Sequence, residues 1–215
     1  MNNKISLSYL ILIIAPLFPN CSGPTVTENK INAPAHLVSL KDITNEKYLI
    51  YIKESVITWK GSSPMGSHTG YIYISKGEVM IEKDQLVGGI VEVDINTIED
   101  EKHGSDNNLV NHLKDPDFFD VKKYPISTFA ITKVESINSE NIKVTGNLTI
   151  KGITNAVTFP AKIEVKNGIF IANSKLVIDR TQWDIRYKSG KFYDNLADET
   201  ISDSIEFQMN IVAKK

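Results

Sequence analysis

The sequence predicts an all-β fold, an eight-stranded antiparallel up-and-down barrel with one short helix around 106–114. Three observations carry this. Apolar and polar residues alternate with period two through most of 48–211, the mark of strands with one buried and one wet face. The runs follow one another through short turn-like breaks, as hairpins do. Only 106–114 carries helical spacing, with Leu109 and Leu113 four apart. Alternation alone also suits a sandwich, but an even run of hairpins favours closure into a barrel, which removes the sheet edges. A barrel of about eight strands can hold one small ligand inside.

At the N-terminus, Lys4 precedes an apolar run over 5–18, long enough for a signal segment and short of the ~20 residues a bilayer span needs. The sole cysteine, Cys21, follows, then Ser22-Gly23. This resembles a bacterial lipoprotein signal in which 1–20 is removed and Cys21 becomes the lipidated first residue. Phe18-Pro19-Asn20 departs from the small residues usual before such a cysteine. A cleaved secretory peptide with an incidental cysteine is the alternative, and either way the mature chain leaves the cytoplasm. Acyl chains on Cys21 would anchor it to a membrane at about 0.8 kcal/mol per buried methylene. Ser22 points to the outer membrane, and the expected location is the cell envelope, periplasmic or at the surface. Residues 21–46 are polar, with Pro24 and Pro34, and read as a tether; 47–215 is the barrel.

Within the barrel, 48–59 is the first strand and Gly61-Ser62-Ser63-Pro64 breaks it. Residues 71–74 form the second, with Lys76-Gly77 as the turn after it, and 79–83 and 86–95 follow. Further strands are expected at 128–134, 142–150, 157–165, 168–178 and 205–211. Between them, 111–129 is the central element. Ser105 to Asn108 supply candidate helix caps, and Pro116 should stop the helix at Asp115. Phe118 and Phe119 then fall in a non-helical turn, yet each ring can bury ~150–250 Å². Something apolar must receive them, which makes this segment a lid over one end of the barrel.

Net charge is −2 with the signs interspersed, so no basic stripe points to nucleic acid. No Gly-x-Ser-x-Gly elbow, P-loop or dinucleotide fingerprint is present, and an enzymatic role is not expected. His68, His103 and His112 lack ligand spacing, so turn-stabilising hydrogen bonds are expected of them and no metal. Trp59 and Trp183 read as core residues whose indole N–H groups need partners. Asp179-Arg180 reads as an ion pair fixing the turn before Trp183, with headgroup binding by Arg180 as the alternative.

Several segments together resemble the YceI-like proteins, lipocalin-like periplasmic barrels that bind polyisoprenoids and related lipids. They are Trp59-Lys60-Gly61, Gly66-Ser67-His68-Thr69-Gly70, Leu86-Val87-Gly88-Gly89 before Val93-Asp94, His112-Leu113-Lys114 and Asp117-Phe118-Phe119-Asp120. Tyr124-Pro125 with Phe129, the run from Val144-Thr145-Gly146 through Lys151-Gly152, Asp179-Arg180-Thr181-Gln182-Trp183 and Phe192-Tyr193-Asp194-Asn195 complete the set. They occur in the family's order across the mature domain, with Tyr193 where the family often has phenylalanine.

The resemblance implies a barrel that sequesters or carries an elongated apolar ligand: a polyisoprenoid, an isoprenoid quinone or a fatty-acid derivative. No covalent cofactor is implied. The ligand-contacting residues carried over are Phe118, Phe119, Tyr124, Phe129, Trp183, Phe192, Tyr193 and Arg180. The expected partners are that lipid and, through Cys21, a membrane; a homodimer is compatible with the fold. The alternative is an envelope stress or interaction protein whose barrel contacts another membrane component and whose bound lipid is structural.

Overall fold

The computed structural model describes residues 45–215. The expected signal segment, Cys21 and the tether up to residue 44 lie outside the described residues. Nine strand segments follow in chain order: β1 (Glu46–Ile50), β2 (Val56–Ser63), β3 (Gly66–Glu82), β4 (Gln85–Asp100), β5 (Ile126–Ser136), β6 (Asn141–Ile150), β7 (Ile153–Lys166), β8 (Ile169–Asp179) and β9 (Ser204–Lys214). One helix, α1 (Asn108–Lys114), lies between β4 and β5. From β2 to β9 each strand pairs antiparallel with the next, and β9 pairs back onto β2, so the sheet closes on itself.

The segments fill eight positions, because β1 and β2 share one. β2 lies between the first part of β3 and the middle of β9, while β1 lies between the last part of β3 and the end of β9. The strand expected over 48–59 is therefore interrupted at 51–55. The buried Ser55 hydroxyl donates to Val212 O (3.2 Å) and accepts from Val212 N (3.0 Å), standing in for a missing ladder bond. The chain steps aside there and resumes against the same two neighbours.

Tight turns set the register. Lys83-Asp84, Lys151-Gly152 and Asn167-Gly168 each connect two strands with positive φ at both residues (49° and 61°, 51° and 75°, 54° and 72°). That is the type I′ pattern, whose twist matches the flanking strands. Lys76-Gly77, expected as a turn, instead lies inside the 17-residue β3. Gly77 is needed for close approach: a Cβ there would come within 2.9 Å of both Ile50 Cγ1 and Ile90 O. A glycine that admits a neighbour looks, in one dimension, like a glycine that makes a turn.

Alternation becomes inside and outside as expected. On β7, Phe159, Ala161 and Ile163 are buried while Thr158, Pro160, Lys162 and Glu164 are exposed. Near the turns at 83–84 and 167–168, Tyr48, Ile81, Ile142, Phe170 and Ala213 are each at most 3 % exposed and close that end. The opposite end carries the two long connections, 101–125 and 180–203. α1 starts where Asn107 caps Val110 N (3.0 Å), and it stops at Asp115, whose extended conformation (ψ 166°) precedes Pro116. The His112 ring stands edge-on to Phe118 (5.0 Å) and to Tyr187 (4.6 Å) of the second connection. Lys151 donates to Pro116 O (3.0 Å) and Asp184 O (3.4 Å), tying both connections to the β6–β7 turn.

Candidate functional site

The inward positions of the strands do not fill the barrel. They enclose a cavity of about 390 Å³ with a floor at Phe170, Ile163 and Val79. The walls are aliphatic and aromatic apart from a few serines, His68 and Arg180, the last two being the ionisable residues of the lining. Among lining residues only Ser62, Gly66 and His68 are exposed, so the cavity opens beside the β2–β3 turn, at the end that carries the long connections. Across that mouth stand Leu109 and Leu113 of α1 with Phe119. Volume and lining are those of a site for an apolar small molecule.

Phe118, Phe119, Phe129 and Arg180 line the cavity. The turn after α1 delivers the first two: Phe118 N donates to Asp115 O (3.0 Å), Phe119 N to Leu113 O (3.1 Å) and Val121 N to Lys114 O (3.0 Å). The chain thus doubles back over the helix end, and Phe118 becomes buried. Phe129 lies over Gly146, where any Cβ would collide with its ring, and packs 5.5 Å from Phe159.

The other four expected residues lie away from the cavity. Trp183, 1 % exposed, donates its indole N–H to Leu148 O (3.1 Å) and fastens a 3-10 turn to β6. Tyr124 packs on Gly152 of the β6–β7 turn, with the Lys123 ammonium 5.0 Å from its ring centre. Phe192 and Tyr193 are 46 % and 49 % exposed, Phe192 beneath the Arg186 guanidinium at 4.6 Å. Aromatic character alone does not distinguish a ring that lines a cavity from one that seals a turn. Ala172 and Ser174 also line the cavity, while Gly89 admits β3, a Cβ there meeting Glu78 O at 2.7 Å.

Arg180 lines the cavity but its donors point into the backbone. Nε donates to Ser202 O (2.9 Å), Nη1 to Ile185 O (2.7 Å) and Nη2 to Ile201 O (3.0 Å). Its nearest carboxylate is Asp203, at 3.6 Å, rather than the expected Asp179. Asp179 instead caps Thr181 N (3.0 Å) and pairs with Lys191 Nζ (2.5 Å). Burial acts to raise the Asp179 carboxyl, but these partners outweigh it and hold the pKa below its ordinary value. Arg180 therefore acts as a clip on the second long connection.

Sequence reasoning passed over two lining residues, Trp59 and His68. Their signal was parity: Trp59 shares a face with Ile57 on β2, and His68 shares one with Ile72 and Ile74 on β3. Behind His68 sits Asp100, 3 % exposed. It accepts from Lys102 N (3.0 Å), His103 N (2.9 Å) and His103 Nδ1 (2.8 Å), with His68 Nδ1 at 3.5 Å. Burial alone would raise this carboxyl, but the hydrogen bonds prevail and lower its pKa.

Comparison with known proteins agrees with this architecture. The crystal structure of BcnA from Burkholderia cenocepacia superposes with a TM-score of 0.65 at 20 % identity, covering 77 % of this chain and 99 % of that one. A polyisoprenoid binding domain from Saccharophagus degradans gives 0.59 at 10 % identity, covering 78 % and 97 %. A UPF0312 protein of Pseudomonas putida strain F1 is 33 % identical over 101 residues, 44 % of this chain and 52 % of that protein. One from Enterobacter sp. strain 638 is 31 % identical over 102 residues, 45 % and 52 %. The chain thus spans about half the length of the curated relatives it matches. The family model described as the YceI-like domain matches residues 48–213, the closed barrel from β1 to β9, and the chain belongs to the YceI-like family.

Proposed function

We propose that this barrel binds and sequesters or carries an elongated apolar ligand, an isoprenoid or fatty lipid, in the bacterial cell envelope. The observation that carries the proposal is an enclosed apolar cavity opening at one end. The family, and a structural neighbour described as a polyisoprenoid binding domain, support the ligand class. The signal-like N-terminus with Cys21 supports the envelope and a lipid anchor.

The driving force is apolar burial at about 0.8 kcal/mol per methylene. Association costs ~4–15 kcal/mol, so a chain of about ten carbons gains little and one of about twenty gains several kcal/mol. Affinity should therefore climb with chain length until the cavity is full. The test is mass spectrometry of an organic extract of the purified protein, with calorimetric titration of prenyl and acyl chains of graded length. A stoichiometric lipid in the extract and a length-dependent affinity are expected. An empty protein that takes up no chain of any length would refute the reading and favour a barrel that acts through its surface.

A further inference from the structure

The dimensions of the cavity limit the length and width of its occupant. Its volume is about 390 Å³. A protein cavity of ~150 Å³ accepts benzene, or ~25 Å³ per carbon. On that scale the barrel has room for about sixteen carbons.

The strands supply the other dimension. On β8 the lining residues run from Phe170 at the floor to Ile178, and on β4 from Leu86 to Ile98. At ~3.3 Å per residue and a tilt of ~35–45°, these stretches rise about 20 Å and about 30 Å along the barrel axis. Spread over that height, 390 Å³ leaves a mean cross-section of about 13–20 Å². An extended hydrocarbon chain, whose ~1.5 Å bonds each advance it ~1.25 Å, takes about 20 Å² at the same volume per carbon. Sixteen such carbons reach about 19 Å. Volume and height therefore agree on one extended chain. Two chains side by side would need about 40 Å². A prenyl chain carries a methyl branch on every fourth carbon of its length, so it needs about a quarter more width than an unbranched chain.

We propose that the barrel takes the unbranched alkyl chain of a single-chain lipid, about sixteen carbons long, in preference to a prenyl chain or a two-chain lipid. This rests on the lipid-binding reading above and narrows its ligand class. The floor at Phe170, Ile163 and Val79 closes the far end, so further carbons stay outside the mouth and add nothing to affinity. Ala172 stands on the wall one step above that floor, between Ile163 of β7 and Ile211 of β9.

The test uses the full chain and displacement of a fluorescent alkyl probe. Straight-chain primary alcohols of roughly ten to twenty-two carbons are compared with prenyl alcohols of about fifteen and twenty, so the headgroup is constant. Affinity rises about fourfold per added methylene up to about sixteen carbons and then levels off. The shorter prenyl alcohol binds about tenfold more weakly than the straight chain of equal carbon number. Native mass spectrometry counts one chain per protein. Ala172→Leu adds three carbons to the wall and moves the plateau down by about three. Ser174→Leu serves the same end if that variant fails to fold, and the length series on the unaltered protein decides the proposal without either. Affinity that keeps climbing past about twenty carbons, or prenyl alcohols that bind as tightly as straight chains or tighter, would overturn the single-chain assignment and leave lipid binding standing. A plateau unmoved by the filled wall would overturn it as well. Failure of every alcohol to bind would overturn both readings.

Discussion

At one end of the barrel, two-residue turns at 83–84 and 167–168 draw the strands together over Tyr48, Ile81, Ile142 and Phe170. At the other stand connections 101–125 and 180–203, and the cavity opens there beside the β2–β3 turn. The closed end is held by side chains with no polar atoms or, in Tyr48, one. The open end is held by directional contacts: Arg180 on three carbonyls, Lys151 on two, His112 between two aromatic rings. Apolar packing seals without specifying a path for exchange, whereas a few polar clips let connections be held in place and still part.

Four variants would break or sharpen that contrast. Phe170→Ala at the floor should have the largest effect, about 3–5 kcal/mol lost in urea unfolding. Arg180→Leu comes next, at about 3 kcal/mol, because it leaves the carbonyls of Ile185, Ile201 and Ser202 without their donor. Hydrogen exchange should then speed up across 180–203 before it does in β6 or β7. Equal protection loss everywhere would mean the clip stabilises the whole barrel.

Phe118→Ala combined with Phe119→Ala should weaken lipid retention by roughly tenfold or more, with strand content by circular dichroism largely kept. Full lipid occupancy in that double variant would remove the lid role. The smallest effect is expected from Asp100→Asn. The folded Asp100 pKa is lowered, so its contribution is complete above the ordinary carboxylate range and is lost as pH falls through the folded value. The variant should flatten the acid limb of stability against pH, measured by urea unfolding across a pH series. An unchanged acid limb would place the acid sensitivity elsewhere.

The strand expected at 168–178 nearly matches β8, and the one expected at 157–165 covers the part of β7 where buried and exposed residues alternate, missing 153–156 before it. The helix was equally legible: Asn107 caps it and Pro116 ends it, both through local geometry. The candidate site was legible by half. Phe118, Phe119, Phe129 and Arg180 reach the cavity, while Trp183, Tyr124, Phe192 and Tyr193 do not. These eight residues share composition and family context. They differ in which strand or turn lies opposite, a relation between positions far apart in the chain.

From the sequence alone came the all-β class, the two-faced alternation of most strands, the stop of α1 and the presence of rings needing cover, since side-chain alternation and capping act within a few residues. The tertiary structure decided that 48–59 splits to share one position in the barrel, and that Gly77 admits a neighbour instead of turning. It also decided that Trp183 is tied to Leu148 O while Trp59, likewise read as core, lines the cavity. Those outcomes depend on closure: only when β9 returns to β2 does each inward side chain acquire its opposite number.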